Sequence, residues 1–382
     1  MRKLVQGLIA VLLFCGVTVA SAAQERSLWD ARSLATLTNR VRQAPADALP
    51  LLEVAGLERA LASGDAAAID RTATALALDL ARLHLLGCTP AAARTGWKIG
   101  DAGDVAGLDT RLQAALSAGT LGSFYDGLRP RHPDYAQLRQ AYGVETDPAR
   151  RAVLALNMER WRWMPLDLGT SFVLVNTARF ELELWRKGER IGTWPVIVGK
   201  PQTPTPVFAA TVTGIVFNPW WDIPTSIVKE SVGALVRRSP ALARKRGYVW
   251  GGGRYRQKPG PNNALGQMKL VMPNPYRVYL HDTPTKQLFT REVRAMSHGC
   301  IRVGDAIGFA AALAEGTRNR AEVDALVTAG KTVEIALGER LPVYIAYITA
   351  VPAADGSVTL LPDIYERDVP ASAPGRPNWP CS

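Results

Sequence analysis

The spacing of apolar residues changes once along this chain of 382 residues, and the change limits what it can fold into. From residue 27 to about 147, Leu, Ala and Arg recur every three or four positions. The pattern is clearest over 28–42, 51–62 and 67–86, and it predicts amphipathic helices punctuated by Pro45, Gly64, Gly87 and Pro90. From about Ser171 the period becomes two. Strands are expected at 172–176, 180–185, 190–198, 211–217, 268–271, 277–281, 333–337, 343–350 and 357–361, the last two joined across Asp355-Gly356. The expected class is therefore α+β, a helical N-terminal domain over 23–147 followed by a mostly β domain over 148–366.

Within the β region, Ser297-His298-Gly299-Cys300-Ile301-Arg302-Val303 sets a cysteine just after histidine and glycine. Residues 305–315 beyond it read as a helix capped by Asp305. His281 lies upstream on the alternating segment Tyr276-Arg277-Val278-Tyr279-Leu280-His281-Asp282, so two of the chain's four histidines sit near this cysteine. A thiol is only slightly ionised at neutral pH, and a neighbouring imidazole or a helix N-terminus makes it nucleophilic. Cys300 is the candidate nucleophile and His281 its general acid/base, with the Gly299 backbone as a candidate oxyanion donor. A buried inert cysteine and a core histidine are the bland alternative. His281, His298 and Cys300 are also zinc-ligand types, but no CxxC, HExxH or HxE spacing accompanies them, and no metal or cofactor is expected. His84, on an apolar helical face, and His132, before Pro133, read as structural.

The segment from His281 to Val303 resembles the signature of the L,D-transpeptidase (YkuD) family: a histidine, a spacer, then Ser/Thr-His-Gly-Cys-x-Arg. Further matches are similar to its long, YcbB-like Gram-negative branch. They include Asn157-Met158-Glu159-Arg160-Trp161-Arg162-Trp163, Val198-Gly199-Lys200-Pro201, Thr203-Pro204-Thr205-Pro206-Val207-Phe208 and Phe217-Asn218-Pro219-Trp220-Trp221. Arg256-Gln257-Lys258-Pro259-Gly260-Pro261, Asn263-Ala264-Leu265-Gly266 and Pro273-Asn274-Pro275-Tyr276 continue them. The resemblance covers roughly residues 150 to 366 and implies a β-sandwich or barrel-like catalytic domain with the cysteine at the mouth of a cleft. The helical region resembles the scaffold that precedes catalysis in the long branch, without its separate wall-binding module.

The same resemblance implies the chemistry. Cys300 would attack the bond between meso-diaminopimelate and D-Ala in a peptidoglycan tetrapeptide stem. D-Ala would be released, and a second stem would take the acyl group to give a 3→3 cross-link. The backbone carbonyl of Asp282 is the expected orienter of His281. Tyr279, two residues before His281 on the same strand face, is a candidate oxyanion donor. Arg302 is a candidate clamp for a substrate carboxylate, with bracing of the loop as the equal alternative. Ser297 and His298 would position the cleft, and Trp220, Trp221 and Tyr255 are candidate substrate contacts. An L,D-carboxypeptidase or other cysteine hydrolase on the same fold stays open, as does a catalytically silent wall-binding scaffold. Carbapenems, which resemble the acyl donor, are expected to acylate Cys300.

Residues 1–22 read as a secretory signal, with Arg2 and Lys3, an apolar stretch over 4–19 and Ala20-Ser21-Ala22 as the cleavage site. The expected address is the periplasm, with membrane contact only through an uncleaved leader. The net charge of +11 asks for an anionic partner. Peptidoglycan stems fit that address better than nucleic acid, for which no motif is present, and wall-synthesis enzymes are possible further partners. After cleavage three cysteines remain. If Cys300 must stay free in an oxidising compartment, Cys88 and Cys381 are the pair left to form a disulfide, tying the tail at 367–382 to the helical domain. An insertion over about 226–266 carries Arg237, Arg238, Arg244, Lys245 and Arg246 with Tyr248, Trp250 and Tyr255, and Gly251-Gly252-Gly253 as a joint. In the long branch this position holds a lid; a solvated basic loop is the plainer alternative.

Overall fold

The computed structural model describes residues 28–368, apart from 95, 101–104, 106 and 354. The leader, its cleavage site and Cys381 therefore lie outside the described residues. Helices Ala31–Gln43, Ala55–Ser63, Ala66–Leu86, Leu108–Ser117 and Leu121–Asp126 form the N-terminal bundle. Asp30 and Asp65 cap two of them, each carboxylate accepting from backbone N–H groups of the first turn. Leu37, Leu57, Leu80, Leu112 and Tyr125 meet in its core. No helix among the described residues is long and apolar enough to cross a membrane.

The β region closes on itself. Its strands are β1 (Phe172–Asn176), β2 (Glu181–Arg186), β3 (Glu189–Gly199) and β4 (Phe208–Phe217). After β5 (Trp221–Asp222), β6 (Tyr248–Gly251) and β7 (Arg254–Gln257) come β8 (Met268–Val271), β9 (Leu280–His281), β10 (Ala295–Ser297), β11 (Ile301–Val303) and β12 (Val333–Ala346). The order β3-β11-β9-β8-β4-β12-β1-β2 returns to β3 through the β2–β3 pairing, which makes a barrel; β10 adds to β3. Closure removes the sheet edges that would otherwise stay unpaired.

Strand β1 explains how the two halves join. Val173 and Val175 point into the barrel interior, whereas Phe172 and Leu174 point outward into the apolar cluster that also holds Trp161 and Leu154 of helix Pro148–Arg162. Both faces are covered, so the strand reads as an uninterrupted apolar run. The connecting helix starts with Asp147 as N-cap and Pro148 at its first position and is buried throughout its last turns.

Two expectations change. The strand expected over 277–281 shrinks to Leu280–His281. Arg277 takes a left-handed φ of 56°, and the Asn274 side chain bonds Met272 O, Val278 O and Val278 N, which builds a loop in place of a ladder. The strands expected over 333–337 and 343–350 are one, β12, crossing a register shift between Ala336 and Leu341. The terminal hairpin instead pairs β13 (Ala350–Pro352) with β14 (Val358–Leu360). The helix expected over 305–315 is present as Ala306–Ala314, capped by Asp305, with strand Ile301–Val303 between it and Cys300. Apolar Ile301 and Val303 fill the barrel interior.

The insertion folds into helices Gly233–Arg238 and Pro240–Lys245 and the small sheet β5-β7-β6. Buried Asn263 pins its return, donating to Pro219 O at 3.0 Å and Lys258 O at 2.9 Å. Gly266, with φ 61°, lies so close to the Asp282 carboxyl that a Cβ would sit 2.3 Å from an oxygen.

Candidate active site

Strands β9 and β11 run parallel, with Leu280 beside Ile301 and His281 beside Arg302. Ile301 N donates to Tyr279 O at 2.8 Å, so Cys300 lies level with Tyr279. Alternation then puts Tyr279, His281, Cys300 and Arg302 on one face. All four line a cleft of about 790 Å³, which Trp221, Ile223, Pro224 and Arg254 close from the lid side.

His281 is buried, and its Nδ1 lies 2.5 Å from the Asp282 carbonyl. A carbonyl only accepts, so Nδ1 carries the hydrogen and Nε2 keeps its lone pair. Burial first, and then the Arg302 cation, push the imidazole down to about 4. The Asp282 carboxylate is turned elsewhere, accepting from Gln267 N at 2.9 Å and pairing with Lys286. Cys300 is a free thiol. Burial pushes it up, partly offset by the Tyr279 backbone N–H and by Arg302. The helix expected to lower it, Ala306–Ala314, starts beyond strand Ile301–Val303. A neutral thiol and a neutral imidazole share the cleft, an arrangement that can pass a proton as sulfur attacks an acyl carbon.

The loop between β10 and β11 is fixed by its own hydroxyl. Ser297 Oγ donates to Cys300 O at 2.6 Å and accepts from Gly299 N at 3.0 Å. The Gly299 N–H, expected to serve an oxyanion, is thus already engaged. Gly299 itself adopts φ 111°, which favours glycine. Tyr279 remains as a donor facing the cleft, its hydroxyl pushed up by burial and so kept protonated. His298 points to the lid: its Nε2 lies 2.9 Å from a carboxylate oxygen of Glu230, on the π-helical turn Val228–Val232. That contact holds the Glu230 carboxyl below its usual range.

Of the expected substrate contacts, Trp221 lines the cleft. Trp220 instead lies under the Arg256 guanidinium at 4.7 Å, and Tyr255 packs edge-on against Trp250 on the lid. Neither is among the residues lining the cleft. His84 and His132 are buried away from it, His132 stacked on Trp161. No cluster suited to a metal occurs among the described residues. Cys88 is disulfide-bonded, while its expected partner Cys381 lies outside the described residues.

Reading the sequence missed Thr205. It is fully buried; its Oγ1 donates to Gly299 O at 2.9 Å and accepts from Gly199 N at 2.9 Å. Tyr365 closes the link, donating to Gly199 O at 2.6 Å. The Thr203-Pro204-Thr205-Pro206 run was visible, but nothing in it shows which threonine faces the nucleophile loop.

Two family models match the chain. Residues 170–335 match the L,D-transpeptidase catalytic domain (YkuD), and residues 22–141 match a scaffold domain. A Haemophilus influenzae protein provisionally named an L,D-transpeptidase is 30% identical over 237 residues, 56% of this chain and 48% of that protein. The chain thus spans about half the length of the curated relative it matches. Among solved structures, an L,D-transpeptidase from Mycobacterium smegmatis is 13% identical with a TM-score of 0.27, covering 46% of this chain and 58% of its own. L,D-transpeptidase 3 from Mycobacterium tuberculosis, in complex with a faropenem-derived adduct, is 16% identical with a TM-score of 0.26, covering 46% of this chain and 60% of its own. The catalytic-domain match falls on the barrel that carries Cys300 and His281 and the scaffold match on the helical region before it, so over these residues the chain is similar to an L,D-transpeptidase catalytic domain (YkuD) behind a scaffold domain.

Proposed function

We propose that this protein is an exported peptidoglycan L,D-transpeptidase of the long Gram-negative kind, forming 3→3 cross-links in the periplasm. The observation that carries the reading is the shared strand face: Cys300, His281 and Arg302 lie side by side in one lidded cleft. In this mechanism His281 Nε2 takes the Cys300 proton as Sγ attacks the carbonyl between diaminopimelate and D-Ala. The C–N bond breaks, and the leaving amine takes the proton back from His281. The acyl group is now a thioester, so no ATP is needed. The amine of a second diaminopimelate attacks it, giving its proton to His281, and Cys300 leaves and is reprotonated. Arg302, half-buried and without an ion-pair partner among the described residues, is suited to a substrate carboxylate, and Tyr279 to the oxyanion.

The test is incubation of the purified protein with a disaccharide-tetrapeptide carrying diaminopimelate, beside a Cys300→Ala control, read by mass spectrometry. A dimer lighter by one D-Ala is expected. Tripeptide alone would make the enzyme a carboxypeptidase. No product and no carbapenem adduct on Cys300 would leave a silent wall-binding scaffold.

A further inference from the structure

The charge of this protein is concentrated in its lid. Between residues 226 and 266 there are nine lysines and arginines against one acid, Glu230, a net +8 beside +11 for the whole chain. Arg254 and Arg256 pair with Asp222, and Glu230 pairs with His298. Arg237, Arg238, Arg244, Lys245 and Arg246 are all exposed and have no ion-pair partner among the described residues. Like charges packed this densely repel one another, a cost an anionic partner removes. Beside them Trp250 is 64% exposed, its ring braced edge-on by Tyr255 at 4.8 Å. Trp250 is paired with Tyr255 across the β6–β7 hairpin, one register step from Arg254, which reaches the cleft.

We infer that the outer face of the lid is a docking surface for the peptidoglycan polymer itself, a subsite beyond the stem held in the cleft. This rests on the proposed function and extends it. Its cations would meet the carboxylates of neighbouring stems, and Trp250 would stack on a sugar ring of the glycan. Charge complementarity favours this polymer, whose carboxylates recur along the strand while the cations spread across two helices. A membrane surface fits less well, because Val232 and Ala243 of the lid are buried and no broad apolar helix face is left to enter lipid. The surface would raise the local concentration of polymer at the cleft and leave the chemical step unchanged.

The experiment compares the native protein with R237E/R238E/R244E/K245E and with Trp250→Ala, none of which touches the catalytic cleft. Retention on insoluble sacculi is measured across ionic strength, and D-Ala release from the soluble disaccharide-tetrapeptide is measured in parallel. The charge-reversed protein should bind sacculi at least about tenfold more weakly and lose the salt dependence. Trp250→Ala should lose about threefold, within the range of one aromatic contact. Both should release D-Ala from the soluble substrate at the native rate, which also shows that they fold. Unchanged sacculus binding would overturn the inference, as would an equal loss of soluble turnover. Binding to phosphatidylglycerol vesicles that falls in step with the charge reversal would overturn it in favour of a membrane surface. If the native protein releases no D-Ala, the proposed function fails, while sacculus retention still tests the docking surface.

Discussion

The scaffold side and the catalytic cleft both bury ionisable groups, but they handle them in opposite ways. On the scaffold side the buried charges are paired. Asp47 is held by Arg129 and Arg139, and Glu159 accepts from Cys88 N and Thr89 N at 2.8 Å and pairs with Arg162 at 3.1 Å. Arg162 also donates to Tyr135 Oη at 2.8 Å and to the Asp47 carbonyl. In the cleft, His281, Cys300 and Arg302 have no ion-pair partner among the described residues. A perturbed pKa does not separate the two regions. His84 is pushed down by burial to about 3, further than His281, yet it faces Tyr125 in a closed core. What marks the cleft is a perturbed group with access to open space.

Four measurements can break or sharpen this contrast. Cys300→Ala should lower turnover by at least about a thousandfold with the melting transition unchanged. Comparable residual activity would move the chemistry elsewhere. On the scaffold side, Arg162→Met leaves the Glu159 carboxylate buried without its cation. It should lose about 3–5 kcal/mol in urea denaturation, while the folded fraction reacts with carbapenem at the native rate. A stable variant would mean that the pairing there is dispensable.

His281→Ala should reduce turnover by about a hundredfold, the scale of general acid–base help. Its pH profile is the sharper readout. The neutral ring is the base and its pKa is lowered to about 4, so activity should persist until pH falls toward that value; a limb near 6.5 would contradict the burial. The same sign governs stability. The unfolded ring binds its proton near 6.5 and the folded ring only near 4, so stability should drop as pH falls between them, by on the order of 3 kcal/mol. Smallest, Thr205→Val should lower kcat by about tenfold with little change in KM, because it frees the Gly299 carbonyl without touching the cleft wall. Thr205→Ser should restore kcat, which a purely structural threonine would not require.

How much was legible follows from the range of the interactions. The period-two strands, the capped helices and the helical scaffold could all be read, because burial pattern and capping are written within a few residues. The lid's basic face was visible as composition. The short β9, the strand after Cys300 and the merged β12 were not, because a loop built by Asn274 and apolar contacts across the barrel override local preference. Trp220 and Tyr255 were candidate substrate contacts, but tertiary packing sets them against Arg256 and Trp250.

By itself the sequence determined the cast of the chemistry: a cysteine after His-Gly, a histidine on a neighbouring strand, and a backbone carbonyl after it. Tertiary structure alone decided their states. It kept His281 neutral by burying it beside Arg302, pushed the Cys300 thiol up by desolvation against the pull of Arg302, and gave the Gly299 N–H to Ser297. It also tied the nucleophile loop to Thr205, 94 residues away in sequence. Desolvation and hydrogen-bond satisfaction depend on which distant residues arrive, and no local pattern encodes that arrival.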